Sequence, residues 1–484
     1  MRFKKFALIA VLIVANAGTG ASADVDQSAV ISELVKEIRE MKKILVKQEE
    51  KIKALEIKAP QSGESATSGA QEATPPMSDY EYNERLNTAL GGANKWLKDL
   101  KFSGDLRLRY EGQDFTSGNP AETDPRNRFR FRLRYGFEKT FNEQMKVGFA
   151  MASGEQTGGT NVDPTATNVT FDNLFNFKDI FIEKAYATYT PNWAKIGPIE
   201  KLEITLGKAN NPFELGSSEM VWDRDVKPEG AYEKINIKLI NSDNFDLNAY
   251  LLGAQYILDE DAVLGSGNLA SGDSELFAAQ LGVNPVFYTP FLQRPVDILQ
   301  AVSFYAYPEY AQNFNFTIGG AAGTSLARGN PNVVGNASEL DARSFEVVES
   351  FTEMAVYPYG LPLRFFCDLA VNANAAASAP SVTGGDFAYA FGTRVGALSK
   401  KGDWELRYEY RYLGANALVG AFTDSDFGLG GVGKQGNVFK LAYQLTDNLI
   451  LASSAYFVDN LNAGTAGIRD EQQRRFQLDL VWKF

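Results

Sequence analysis

The stretch Arg474-Arg-Phe-Gln-Leu-Asp-Leu-Val-Trp-Lys-Phe484 decides the fold. Phe476, Leu478, Leu480, Trp482 and Phe484 fall on one face of a strand. Arg475, Gln477, Asp479 and Lys483 fall on the other, with Val481 the one apolar residue among them. Successive side chains of a strand point to opposite faces. A wholly apolar face backed by a charged one fits a strand with lipid outside and water inside.

The same alternation recurs upstream. Phe102, Leu106, Leu108 and Tyr110 turn one way, and Asp105, Arg107 and Arg109 the other. From Arg128 to Lys139, Phe129, Phe131, Leu133, Tyr135 and Phe137 alternate with Arg128, Arg130, Arg132, Arg134 and Glu138. Trp404, Leu406, Tyr408, Tyr410 and Tyr412 interleave with Glu405, Arg407, Glu409 and Arg411, and Phe439, Leu441, Tyr443 and Leu445 make a further apolar face. A soluble sandwich also alternates, but it seldom sets four arginines in register between large apolar residues.

About sixteen such segments are predicted, centred near residues 105, 134, 148, 185, 204, 235, 250, 279, 302, 350, 367, 392, 408, 441, 453 and 479. Their connections alternate in length. Short ones fall at 142–144, 241–244, 357–362, 399–403 and 446–448. Long ones, rich in Gly, Asn, Asp and Ser, fall at 111–127, 154–179, 209–230, 258–274, 308–342, 374–385, 414–434 and 459–472. Residues 284–296, with Pro290 and Pro295, are long for a short turn. The expectation is an all-β chain, a transmembrane antiparallel β-barrel of about 16 strands over residues 100–484, preceded by a short α-helical coiled coil. An even count places both ends of the barrel on the periplasmic side.

Composition narrows the chemistry. The formal net charge is −12, and without Arg2, Lys4 and Lys5 it becomes −15, which argues against nucleic acid as a partner. There is no histidine, which removes Ser-His and Cys-His catalysis, the usual zinc sites and histidine-ligated haem. Cys367 is the single cysteine, so no intrachain disulfide forms. No enzymatic activity, cofactor or metal is expected. Acid pairs such as Asp223 and Asp225 carry no protease motif.

Residues 1–23 read as a secretory signal: Arg2, Lys4 and Lys5, then an apolar core from Phe6 to Ala15, then Ala21-Ser22-Ala23 for cleavage. Residues 24–58 read as a periplasmic coiled coil. Ile31, Leu34, Ile38, Met41, Leu45, Gln48, Ile52 and Leu55 take the a and d positions. Val35 and Ile44 widen the apolar stripe, which favours a trimer over a dimer. An amphipathic helix lying on the barrel's own rim is the alternative. Residues 59–99 form a flexible Ser/Gly/Pro linker and a short helix broken at Gly91-Gly92.

Sixteen strands would leave a water-filled lumen. Arg107, Arg109, Arg128, Arg130, Arg132 and Arg134 form a candidate basic wall. The third long loop, Ala209 to Gly230, is a candidate constriction carrying Glu214, Glu219, Asp223, Asp225 and Glu229 against Arg224 and Lys227. Folded inward, it would set acids opposite the arginines and create a transverse field. An outward, solvated loop is the plainer reading, as are arginines that pair with Asp105 or Glu138 and stiffen the wall. Arg364, Arg394, Arg407 and Arg411 extend a basic surface elsewhere, offset by Asp368, Glu405 and Glu409.

Lys101-Phe-Ser-Gly-Asp-Leu-Arg-Leu-Arg-Tyr-Glu111, Pro125-Arg-Asn-Arg-Phe-Arg-Phe-Arg-Leu-Arg-Tyr135 and Met145-Lys-Val-Gly-Phe-Ala-Met-Ala-Ser-Gly154 resemble the putative porin family of bacterial outer membranes. So do Lys184-Ala-Tyr-Ala-Thr-Tyr-Thr-Pro191, Leu206-Gly-Lys-Ala-Asn-Asn-Pro-Phe213 and Trp222-Asp-Arg-Asp-Val-Lys-Pro-Glu-Gly230. The resemblance implies an outer-membrane channel for passive diffusion of small hydrophilic solutes or ions, a homotrimer with its N-terminal segment in the periplasm. The closing strand, through Trp482 and Phe484, resembles the signal that the barrel-assembly machinery recognises. Phosphate-selective porins share a coiled-coil start and a basic lumen, but their constriction is basic and this loop is acidic. A tether, with the coiled coil holding peptidoglycan or another cell-wall polymer, and a substrate-specific channel for anions or oligosaccharides are the alternatives. No plug domain fits in residues 24–99, which disfavours an active transporter.

Overall fold

The computed structural model describes residues 99–117, 125–157, 161–162, 164–259, 274–288, 294–308, 330, 345–374, 385–461 and 471–484. The signal, the coiled-coil positions 24–58 and the linker to residue 98 lie outside these described residues.

Sixteen long strands form one antiparallel sheet, joined by a seventeenth, two-residue segment, Val169–Thr170. In chain order they are β1 (Leu100–Ser117), β2 (Arg126–Phe141), β3 (Met145–Gly154), β4 (Asp179–Tyr189), β5 (Ile199–Lys208), β6 (Glu229–Asn241), β7 (Phe245–Asp259) and β8 (Ser274–Phe287). There follow β9 (Val296–Tyr307), β10 (Phe345–Val356), β11 (Leu363–Asn372), β12 (Phe387–Gly396), β13 (Trp404–Leu413), β14 (Lys434–Thr446), β15 (Leu449–Asn460) and β16 (Glu471–Lys483). Each of the sixteen predicted centres lies inside one of these strands. Every strand pairs with its chain neighbour, and β1 closes the ring on β16 with Asp105 opposite Lys483 and Ser117 opposite Glu471. Phe484 finishes the seam: its N–H donates to Gly104 O at 3.1 Å, and Gly104 N–H donates to Phe484 O at 2.8 Å.

The burial pattern is inverted relative to a soluble protein. Phe102 is 73% exposed and Phe129 60%, whereas Glu111, Glu409 and Arg411 are 0% exposed. The alternation thus places large apolar residues outward, and charge inward on strands such as β1, β2, β13 and β16. A closed barrel leaves no sheet edge unpaired, so its wall can face hydrocarbon. Among the described residues no helix is long and apolar enough to cross a membrane, which says nothing about a β-barrel.

The two ends differ. One end carries tight turns, such as that between β2 and β3, where Asn142 and Glu143 both adopt positive φ, 51° and 59°. Two consecutive left-handed residues suit the twist of a hairpin. The other end carries the long loops, here numbered L1 to L8 in chain order. Among the described residues, those of L2 (155–178), L3 (209–228) and L7 (414–433) bend into the barrel, and Asn330 of L5 is buried against L7.

L3 thus takes the inward course rather than the outward, solvated one, and L2 and L7 fold in beside it. Phe213, Met220, Val221 and Trp222 of L3, with Leu418, Val419, Ala421 and Phe427 of L7, pack on wall residues such as Tyr256, Leu276, Tyr305, Val347 and Val458 as one buried apolar core. These wall residues are apolar on the lumen side because they face protein there, not water.

Candidate functional site

L3 is built to descend along the wall. It opens with a 3-10 turn, Pro212–Gly216, whose N-cap Asn211 accepts a hydrogen bond from Phe213 N–H through Oδ1. A proline in the first turn loses no hydrogen bond, because that N–H has no partner within the turn anyway. Gln280 Nε2 on β8 donates to Phe213 O and Gly216 O, both at 3.2 Å, and Tyr250 Oη on β7 donates to Gln280 Oε1 at 2.7 Å. The loop backbone approaches so closely at Gly216 that a Cβ there would lie 2.4 Å from Ala301 Cβ.

L3 then interlocks with L7. Trp222 stacks on Phe422 with centroids 5.5 Å apart and meets Tyr305 edge-on at 5.5 Å. Asp223 N–H donates to Phe422 O at 2.7 Å, and Ser425 N–H donates to Asp223 Oδ2 at 2.8 Å. L2 joins the junction: Ser425 Oγ donates to Thr165 O at 2.9 Å and Thr167 Oγ1 to Asp225 Oδ2 at 3.1 Å.

The acids of this assembly lie directly against two basic walls. On β1, β2 and β16, Arg109 binds Asp479 in two-pronged fashion at 2.7 and 2.8 Å and reaches Asp426 of L7 at 3.2 Å. Arg475 also holds Asp426, at 2.8 Å. Arg128 pairs with Glu111 at 2.5 Å, and Arg130 lies 3.8 Å from the same carboxylate. Arg132 and Arg134 share Asp105 at 2.8 and 2.9 Å and approach Asp225 of L3 at 3.8 and 3.5 Å. On β13 and β14, separated from β16 by one strand, Lys440, Arg411 and Arg407 meet Glu219 of L3 at 2.7, 3.2 and 3.7 Å, and L3's own Arg224 meets it at 3.0 Å. Arg411 also holds Glu409 and, on L7, Asp424 at 2.7 Å.

The environments separate the loop carboxyls. Burial alone would raise Glu219, but Lys440, Arg407, Arg224 and Arg411 outweigh it and hold the group well below the usual carboxylate range. Burial is likewise opposed at Asp225, which Arg132, Arg107 and Arg134 hold low. Asp223 goes the other way. Burial, then the neighbouring Asp225 and Asp424, push it well above its ordinary value. Glu214 is raised by burial, and the Lys227 ammonium is lowered by burial.

The candidate residues therefore divide. Six of the seven loop candidates, Glu214, Glu219, Asp223, Arg224, Asp225 and Lys227, lie on the inward-folded L3. Glu229 does not: it is the first residue of β6, exposed, and pairs with Lys208 at 2.6 Å, because the strand begins two residues earlier than the sequence pattern suggests. All six wall arginines point inward. Arg107 differs from the rest; its partner is Asn168 of L2 at 2.5 Å, and among the described residues no carboxylate comes within ion-pair distance. Arg364 pairs with Glu353 and Arg394 lies 4.0 Å from Glu405, so these two serve the wall near the turn end. Acids and arginines are in contact and do not face each other across a gap.

Sequence reasoning missed L7. Its Asp424 and Asp426, together with Lys440 and Arg475, complete the ion-pair network. The signal was present in Leu418-Val419-Gly-Ala-Phe422, an apolar run inside a Gly-rich loop. Among the described residues no cluster of Cys, Asp and Glu has the arrangement of a metal site.

A family model described as Putative porin matches residues 120–324 and 321–484. Comparison with curated proteins finds no match. Among solved structures, Pseudomonas putida OprB is 12% identical, with 82% of this chain and 97% of that chain covered at a TM-score of 0.44. Salmonella typhi OmpF, in a complex with daunomycin, is 10% identical, with 80% and 97% covered at a TM-score of 0.41. The trimer form of Vibrio cholerae OmpT is 10% identical, with 80% and 99% covered at a TM-score of 0.38.

Proposed function

The chain belongs to the Putative porin family, and from that premise we propose that it is an outer-membrane channel through which small hydrophilic solutes or ions pass passively, down their own gradients. The observation that carries this reading is the inverted barrel with a charge-lined interior narrowed by L3. A lumen of paired guanidinium and carboxylate groups offers hydrogen bonds to polar solutes and none of the burial an apolar solute gains. The neck is the space left beside L3, lined by Arg132, Arg134, Glu214, Arg224 and Lys227, and it sets the size limit.

The inward packing of L7 supports a second reading, a substrate-specific channel, because two interlocked loops leave a narrower passage than one. The chain acts as a conduit and performs no covalent chemistry. It assembles as a homotrimer through the a and d residues of segment 24–58, held in the periplasm after signal cleavage. Trp482 and Phe484 present the closing strand to the assembly machinery.

Single-channel recording of the mature protein in planar bilayers, with reversal potential measured across a salt gradient, tests this. Conductance in steps of three supports an open trimer. A folded barrel without conductance overturns the channel and favours the tether. A channel blocked by one class of solute at low concentration favours the specific pore.

A further inference from the structure

Beneath the tip of L3 lies an acidic pair that the ion-pair network does not use. Glu349 on β10 and Asp368 on β11 both face inward, two rungs apart in register, since Glu349 pairs with Ala370 and Phe351 with Asp368. Both are 0% exposed. Tyr305 Oη donates to Glu349 Oε2 at 2.7 Å, and the backbone N–H of Ser218, on L3, donates to Asp368 Oδ2 at 3.0 Å. The second oxygen of each, Glu349 Oε1 and Asp368 Oδ1, is buried without a hydrogen-bond partner among the described residues.

Among the described residues, no cation lies within ion-pair distance of either carboxyl. Tyr305 on β9 and Tyr250 on β7 are neutral, and Gln280 on β8 is occupied with the L3 backbone. On β13, Glu409 adds a third carboxylate, and Arg407 and Arg411 bind it at 2.6 and 2.5 Å. On L3, Glu219 takes the remaining reach of those arginines. Two wholly buried carboxylates side by side cannot both ionise. One proton between Oε1 and Oδ1 satisfies both orphaned oxygens and removes one charge at a stroke.

We infer that Glu349 and Asp368 share one proton as a carboxylic acid–carboxylate latch, which seats the tip of L3 through Ser218, and that loss of this proton lets the loop lift. This rests on the reading of L3 as the constriction. The sign follows from linkage. Above the ordinary carboxylate range the seated loop binds one proton more than the lifted loop, where both groups reach water and ionise. Seating therefore weakens as pH rises, by about tenfold per pH unit once the pair titrates. Acid does not release it, since a doubly protonated pair still forms a hydrogen bond.

The test compares the full-length protein with its Glu349→Gln and Asp368→Asn variants. The infrared C=O band of protonated carboxyls is recorded in lipid vesicles at neutral pH. Conductance is then followed from neutral to alkaline pH. The expected result is a protonated-carboxyl band that both variants lose, and an alkaline change in wild-type conductance that both variants abolish, because an amide donates to the remaining carboxylate without titrating. Should Glu349→Gln fail to fold, Asp368→Asn, which keeps an acceptor for Ser218, carries the test. An unchanged band overturns the shared proton; if conductance then follows sodium or calcium concentration, a cation occupies the pair. A band lost on substitution with the alkaline step intact overturns the latch alone. A lost band in a protein that conducts at no pH upholds the shared proton but overturns the channel reading, and with it the gating role.

Discussion

Replacing Trp222 by Ala should unlock L3 from L7 while leaving the barrel intact. Trp222 is 2% exposed and packs against Phe422 and Tyr305. Truncating a buried tryptophan costs about 3–5 kcal/mol, from lost transfer energy and the cavity left behind. At about 1.4 kcal/mol per factor of ten, the ratio of seated to lifted loop should fall by roughly a hundredfold to several thousandfold. The wall should be nearly indifferent, since its sixteen strands are held by backbone ladders that do not involve this side chain. Two measurements on one preparation separate the effects. Single-channel recording should show larger or noisier openings, and the heat-shifted mobility of the folded barrel in detergent gels should persist to about the wild-type temperature. If the variant melts far earlier yet conducts like wild type when folded, the L3–L7 core is a structural plug and not part of the passage, and the argument fails.

Asp225→Asn should loosen L3 from Arg132 and Arg134. Because these arginines hold the Asp225 carboxyl low, its contribution is present above the ordinary aspartate range and is lost as pH falls below about 4. Wild-type conductance should then change in acid, and that change should be missing in the variant; an identical acid response would discount this contact. Gly216→Leu should push the L3 tip off the wall, since even a Cβ meets Ala301 and Tyr250. Protease cleavage within 209–228, slow in wild type, should become at least several-fold faster, and unchanged cleavage would mean that the wall yields instead. Deleting residues 24–58 should abolish oligomers seen by light scattering without abolishing conductance. Intact oligomers with lost attachment to isolated cell wall would make that segment a tether.

The wall was legible because its signal is local. In Arg128 to Lys139 each residue's face follows from its neighbours, and lipid on one side enforces the alternation without reference to distant chain. The tight turns were legible for the same reason. The interior was only half legible. L3 announced itself by clustered charge, but Glu229 was assigned to it because a carboxylate at a strand's first residue looks like a loop residue. L7 is hard to single out since Gly is its commonest residue, and its Leu418 and Phe427 acquire meaning only against Tyr256, Tyr305 and Val458. Ion pairs such as Arg109 with Asp479 join residues 370 positions apart in the chain. No periodicity encodes such a meeting; barrel closure creates it.

The formal charge of −12 also misleads about the passage, because what a solute meets is the charge left over after pairing. Most wall arginines have a carboxylate in contact, so their fields largely cancel. Arg107 has Asn168 as its partner, and the Lys227 ammonium donates to the backbone carbonyls of Arg224 and Val226. On the acidic side of L3, the two carboxyls without an ion-pair contact among the described residues are Glu214 and Asp223. Burial raises both, which shifts them toward the neutral form. An arginine keeps its charge at neutral pH, so Arg107 is expected to tip the neck toward positive, despite the acidic chain. Reversal potentials in a salt gradient should carry the sign of anion preference, and Arg107→Gln should reduce it with little change in conductance. A cation-preferring wild type, or an Arg107→Gln variant with unaltered reversal potential, would mean that Arg107 does not set the field along the solute path beside L3.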